Sequence, residues 1–135
     1  MEWNILGHEW AAELLARHIA REEARHAYLF CGPPGVGRRT LALRFAQALN
    51  CTNPPQPGQP CRACRDCTQT GLMQHPDLSI LQVEEDSTML KIEQVRELQR
   101  ILSLMPYQGR RRVALLLRFE EANANAQNAL LKTLE

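Results

Sequence analysis

From residue 8 the apolar positions Trp10, Leu14, Leu15 and Ile19 fall at helical spacing with charged residues between them, which predicts an amphipathic helix to about residue 23. Gly7, just ahead of it, permits a tight turn. The short apolar run Ala27-Tyr-Leu-Phe-Cys31 reads as a strand. After a glycine-spaced loop, Leu41, Leu43, Phe45, Ala46 and Leu49 predict a second helix from Arg38 to Asn50. A Pro- and Cys-rich stretch follows, then a short helix to about Gly71 and a strand over His75–Val83 opened by a Pro turn. Beyond the acidic loop Glu84–Thr88, Ile92, Val95, Leu98, Ile101 and Leu102 recur every three or four residues, giving a helix that ends before Pro106. Arg110–Leu117 passes from a basic turn at Gly109 into an all-apolar run, the pattern of a buried parallel strand. Asn123 can cap a last helix from Ala124 to Glu135, where the chain stops without a cap, as expected of a C-terminally truncated fragment. Strands alternating with helices predict an α/β fold with a parallel sheet.

The loop between the first strand and the second helix organises this pattern. Gly32, Gly35 and Gly37 have the spacing of a phosphate-binding P-loop, in which backbone N–H groups wrap phosphates, a Lys reaches the outer phosphates and a hydroxyl ligates magnesium. Here Arg38 stands at the lysine and Arg39 at the hydroxyl, while Thr40 comes one residue late. A planar guanidinium keeps the charge but differs in shape from a compact ammonium, and a second Arg cannot ligate a metal. The bland reading of the stretch is an ordinary strand–turn–helix corner. Hydrolysis would also need acidic residues at the tip of the second strand. That strand ends Leu117-Arg118-Phe119, with Glu120 and Glu121 falling beyond its tip. ATP and magnesium binding are therefore doubtful.

Composition bounds the remaining choices. The 135 residues are 44% hydrophobic and 23% charged, those of a folded soluble domain, and 16 Lys and Arg against 15 Asp and Glu leave a net charge of +1 that gives no global case for nucleic acid. No run reaches membrane-spanning length and no signal segment opens the chain, so a cytoplasmic protein is expected. Four of the five cysteines, Cys51, Cys61, Cys64 and Cys67, are separated by nine, two and two residues, with four prolines and a glycine in the first interval. Such an insertion is too small to bury a core. Four thiolates at this spacing suit structural zinc with no position left for water; an iron–sulfur cluster or free thiols are the alternatives.

The other reactive side chains have plainer readings. Cys31 is a small buried hydrophobe, His8 a solvated or capping residue, His26 positional, and His75 an unneeded fifth metal candidate. The Glu84–Asp86 carboxylates are a solvated face rather than an acid–base pair.

Taken together, Ile5-Leu-Gly-His-Glu9, Ala27–Gly37, the four-cysteine insertion, His75-Pro-Asp-Leu78, Ile92–Leu98 and Gln127–Glu135 resemble the delta-prime family of DNA polymerase III clamp-loader subunits, within the AAA+ superfamily. The resemblance runs over essentially the whole chain. It implies one AAA+ P-loop NTPase-like domain over residues 1–135, incomplete at its C-terminus, with a zinc-binding insertion at 51–67. It implies a subunit of a hetero-pentameric ring, with gamma/tau and delta as neighbours, that loads the sliding clamp onto primed DNA without being an ATPase itself. In that family an arginine acts in trans on the neighbouring subunit's ATP. That arginine, the lid and the collar domain would lie beyond Glu135. The gamma/tau subunits are similar and hydrolyse ATP, so an ATPase with an atypical P-loop is the alternative. A free-standing zinc nucleic-acid binder would interleave aromatics with its cations, and aromatics make up 5% of the chain.

Overall fold

The computed structural model describes residues 3–5, 7–25, 27–30, 36–82, 92–117, 124, 127, 128 and 130. These residues form two compact units, Met1–His75 with Gly109–Arg111, and Pro76–Gln108 with Arg112–Glu135. Gly32, Gly35, Cys31, His26, the acidic loop from Glu84 to Thr88, and Arg118, Glu120, Glu121 and Asn123 lie outside the described residues.

The first unit holds α1 (Glu9–Ala20), α2 (Arg38–Asn50) and α3 (Arg65–Gly71). Its core joins Trp3, Ala12, Leu15, Leu41, Phe45 and Ala48, with Tyr28 and Phe30 packed against it. Burial of each large side chain contributes roughly 1.5–3 kcal/mol. The buried face of α1 keeps Leu15 and Ile19 of the expected set but not Trp10 and Leu14. Ala12, Leu15, Ala16 and Ile19 share one side of a 3.6-residue helix, and Trp10 and Leu14 lie about half a turn away. Trp10 is 71% exposed and Leu14 40%. Small Ala12 lets α2 come close, and the aromatic contacts come from elsewhere: Trp3 stacks on Phe45 at 6.5 Å and Tyr28 meets Phe45 edge-on at 4.8 Å.

Residues 27–30 are not in a strand. Tyr28 and Phe30 lean on the helical core while Leu29 stands 83% exposed, and among the described residues the only sheet is the two-stranded one of the second unit. The Tyr28 hydroxyl accepts from the Arg25 N–H at 2.9 Å and hydrogen-bonds His18 Nδ1 at 2.8 Å.

In the second unit β1 (Leu78–Gln82) pairs in parallel with β2 (Val113–Leu117), Leu78 opposite Val113 and Gln82 opposite Leu117. Between them in sequence lies α4 (Ile92–Leu102). Its Val95 and Leu98 bury against Leu81, Leu102, Ala114, Leu116 and Leu130. All five residues of β2 are half-buried rather than fully enclosed as their composition suggests. The element bounds also have local causes. Helix α4 stops four residues short of Pro106, where the Ser103 hydroxyl donates to the Arg100 carbonyl at 2.6 Å and the Leu104 N–H reaches back only three residues, to the Ile101 carbonyl. Strand β2 starts at Val113, not Arg110, because the Arg110 and Arg111 amides are taken by the Asn50 side chain. Among the described residues no helix is long and apolar enough to cross a membrane.

Candidate metal centre and glycine loop

The four cysteines converge. One ligand atom from each of Cys51, Cys61, Cys64 and Cys67 can be chosen so that all lie within 4.8 Å of one another. Helix α2 delivers Cys51 as its C-cap, and Cys64 is the N-cap of α3, its sulfur accepting the Cys67 N–H at 3.4 Å. Further N–H···S bonds run from Cys61 to Cys51 Sγ at 3.3 Å, and from Ala63 and Cys64 to Cys61 Sγ at 3.4 and 3.2 Å. Donors aimed at sulfur favour its anionic, metal-binding form. Cys51 and Cys67 are buried while Cys61 and Cys64 are partly exposed. The cluster can hold one thiophilic metal ion, and with four sulfurs it fits a closed structural site.

The insertion is fastened on its outer side as well. Gly58 sits at φ +83, and a Cβ there would lie 2.2 Å from the Ala16 carbonyl oxygen, so the loop can approach α1 only with glycine at this position. The Trp3 indole N–H donates to the Gly58 carbonyl at 3.1 Å.

The thiols differ in acidity. Burial raises Cys64, but N–H groups of Thr52 and Cys67 and the Thr52 and Cys61 side chains outweigh it and bring it down to about 6. Burial pushes Cys51 up, and Cys67 further, with Cys64 and Cys51 beside it. In protein stripped of metal, iodoacetamide at neutral pH is therefore expected to label Cys64 well ahead of Cys67, since the thiolate is the nucleophile. Peptide mass analysis reads the order, and equal rates at the two sites would overturn it.

Of the expected nucleotide-loop residues, Gly37 is described as the N-cap of α2, in the left-handed region at φ +92. Arg38 opens the helix half-buried, and Arg39 and Thr40 follow exposed in its first turn. No acidic residue shares that turn. Two cationic residues in a first turn run against the helix dipole, which favours negative charge there.

A family described as DNA polymerase III, delta subunit, matches residues 7–135. The chain belongs to this family. It is 38% identical over 126 residues to the DNA polymerase III subunit delta' of Pseudomonas aeruginosa, covering 93% of this chain and 38% of the relative. It is 32% identical to the Bacillus subtilis subunit delta' over 91% of this chain and 36% of the relative, and 33% identical to the Haemophilus influenzae subunit tau/gamma over 98% and 19%. The chain thus spans less than two-fifths of the length of these relatives.

Several contacts in this delta-family chain were not read from the sequence. His8, at the N-cap position of α1, is neither solvated nor a side-chain cap: its Nε2–H donates to the Val36 carbonyl at 2.6 Å, tying α1 to the glycine loop. His75 is buried on Asp66, Nε2 to Oδ1 at 2.7 Å, and so braces α3 beside the cysteines. Asn50, next to Cys51, accepts the Arg110 and Arg111 N–H groups at 2.8 and 2.9 Å and donates to the Arg111 carbonyl at 3.0 Å. No sequence period marks such a bond.

Proposed function

We propose that this chain is the amino-terminal AAA+ module of a delta-prime-type subunit of a bacterial clamp loader, acting in DNA replication to help place the sliding clamp on primed DNA. Residues 1–135 form one P-loop NTPase-like domain in this reading, with a structural zinc at Cys51, Cys61, Cys64 and Cys67. Gly32, Gly35, Gly37, Arg38, Arg39 and Thr40 make a nucleotide cradle that has lost its chemistry. Gamma/tau and delta subunits are the neighbours in a hetero-pentameric ring, and its place of work is the cytoplasm. Delta' relatives match over more than nine-tenths of the chain and support this assignment.

The observation that carries the loss of activity is the first turn of α2, where the left-handed Gly37 leads into Arg38 and Arg39. The position that should ligate magnesium presents a cation instead, and a guanidinium repels a divalent ion. The fold keeps the turn and gives up the metal. Zinc in the insertion would supply the cross-link that a short Pro-rich loop cannot make by packing.

Nucleotide titration with and without magnesium tests this reading. We expect weak or undetectable ATP binding, no gain from magnesium and no release of phosphate. Tight magnesium-dependent binding with repeated turnover would replace the proposal with a tau/gamma-type ATPase.

A further inference from the structure

The polar side of α2 connects the cysteine cluster to residues far from it. Gln47 is buried, 4% exposed, on the side of α2 that it shares with Arg44 and the buried Asn50. Its Nε2 donates to the Cys67 carbonyl at 2.9 Å and its Oε1 accepts from Arg44 at 3.1 Å. The Arg44 Nε in turn donates to the Trp3 carbonyl at 3.0 Å, and the Trp3 indole N–H reaches the Gly58 carbonyl at 3.1 Å. The sequence of contacts leaves the insertion at a metal-ligand residue, crosses α2, and returns to the insertion at its far loop.

Every link is a directional bond, and three of them join a side chain to main chain. Such bonds fix position rather than merely fill space, because each fails outside a narrow distance and angle. At the other end α2 begins at Gly37, and the same rigid helix carries Arg38 and Arg39. A shift of the Cys67 main chain would act directly on the Gln47 amide bonded to it.

We propose that Gln47 is a positioning residue through which the metal at the four cysteines sets the seat of α2, the helix that Gly37 caps at its other end. This rests on the proposed metal site. The ion orders the turn Cys64–Cys67, the ordered turn presents the Cys67 carbonyl, and the Gln47 amide locks α2 to it. Arg44 and Trp3 close the circuit.

The test is hydrogen exchange followed by mass spectrometry on the whole chain, loaded with zinc and then stripped by a chelator, with metal analysis of both samples. Stripping is expected to speed exchange of α2 amides between residues 44 and 50 roughly ten-fold, while α1 changes less and α4 not at all. Gln47→Leu should still bind about one ion per chain, yet its α2 exchange should respond to metal several-fold less than the wild type's, the remainder passing through Cys51 at the helix C-cap. The wild-type comparison stands alone if that variant does not fold.

Three results would overturn the relay. Unchanged α2 exchange after confirmed loss of the ion is the first. Equal acceleration in α1 and α2 is the second, since it makes the metal a support for the unit as a whole. A Gln47→Leu protein responding to metal as strongly as the wild type is the third. Failure of the wild type to bind any ion is a separate outcome, which removes the metal site itself and the relay with it.

Discussion

Cys64→Ser is expected to release the metal and to unfold the insertion around it. A serine hydroxyl is a poor ligand for a soft site, and the remaining three sulfurs leave the ion exposed to water and to chelators. The loss extends beyond one bond. Cys64 is also the N-cap of α3, accepting the Cys67 N–H at 3.4 Å, and residues 52–57 between the first two ligands are exposed and bury little of their own. Binding energy of a structural zinc, on the order of 10 kcal/mol in small domains, is folding energy for the segment it holds. Metal content should fall from about one ion per chain to near zero, and limited proteolysis should open the chain between 52 and 63. Retained stoichiometric metal in the variant would overturn four-thiolate ligation.

The second large effect belongs to Asp77, which is 1% exposed. Its two carboxylate oxygens accept the N–H groups of Tyr107 and Gln108 at 2.6 and 2.8 Å, and Arg112 lies 3.9 Å away. Its own carbonyl accepts the Val113 N–H at 2.9 Å, the contact that starts β2 beside β1. Asp77→Ala removes the acceptor and leaves two part-buried amide donors and a partly buried cation without it. We expect a loss of about 3 kcal/mol, with Asp77→Asn losing about half as much because one acceptor survives. Urea unfolding measures this as a lowered midpoint at unchanged slope. A loss under about 1 kcal/mol would show that water replaces the carboxylate without penalty.

How much could be read from sequence follows from the range of each signal. Helices α2, α3 and α4, strands β1 and β2 and the cysteine set were legible because period and spacing are properties of neighbours in the chain. Leu15 and Ile19 on α1 were read correctly, but Trp10 and Leu14 satisfy the same spacing rule, and only packing against Phe45 and Leu41 favours Ala12 over them. Residues 27–30 have strand composition, but a strand also needs a partner, which composition cannot supply. The polar contacts were the least visible. Asp66 with His75, Gln47 with Cys67 and His8 with Val36 join residues 9, 20 and 28 positions apart, and no local pattern announces such pairs. The motif His75-Pro-Asp77 stood out in the sequence; its work, a histidine bracing the cysteine helix and an aspartate gathering the amides before β2, came only with the structure.

Asn50 has one more consequence. Its amide recognises residues 110 and 111 by peptide groups alone, and the neighbour it constrains by size is Gly109, where a Cβ would come within 2.7 Å of the Asn50 Cγ. Both guanidiniums that follow that glycine point into solvent, uncommitted to holding the turn together. Whatever those two charges serve is therefore decided outside the fold, and the turn displays them without depending on them.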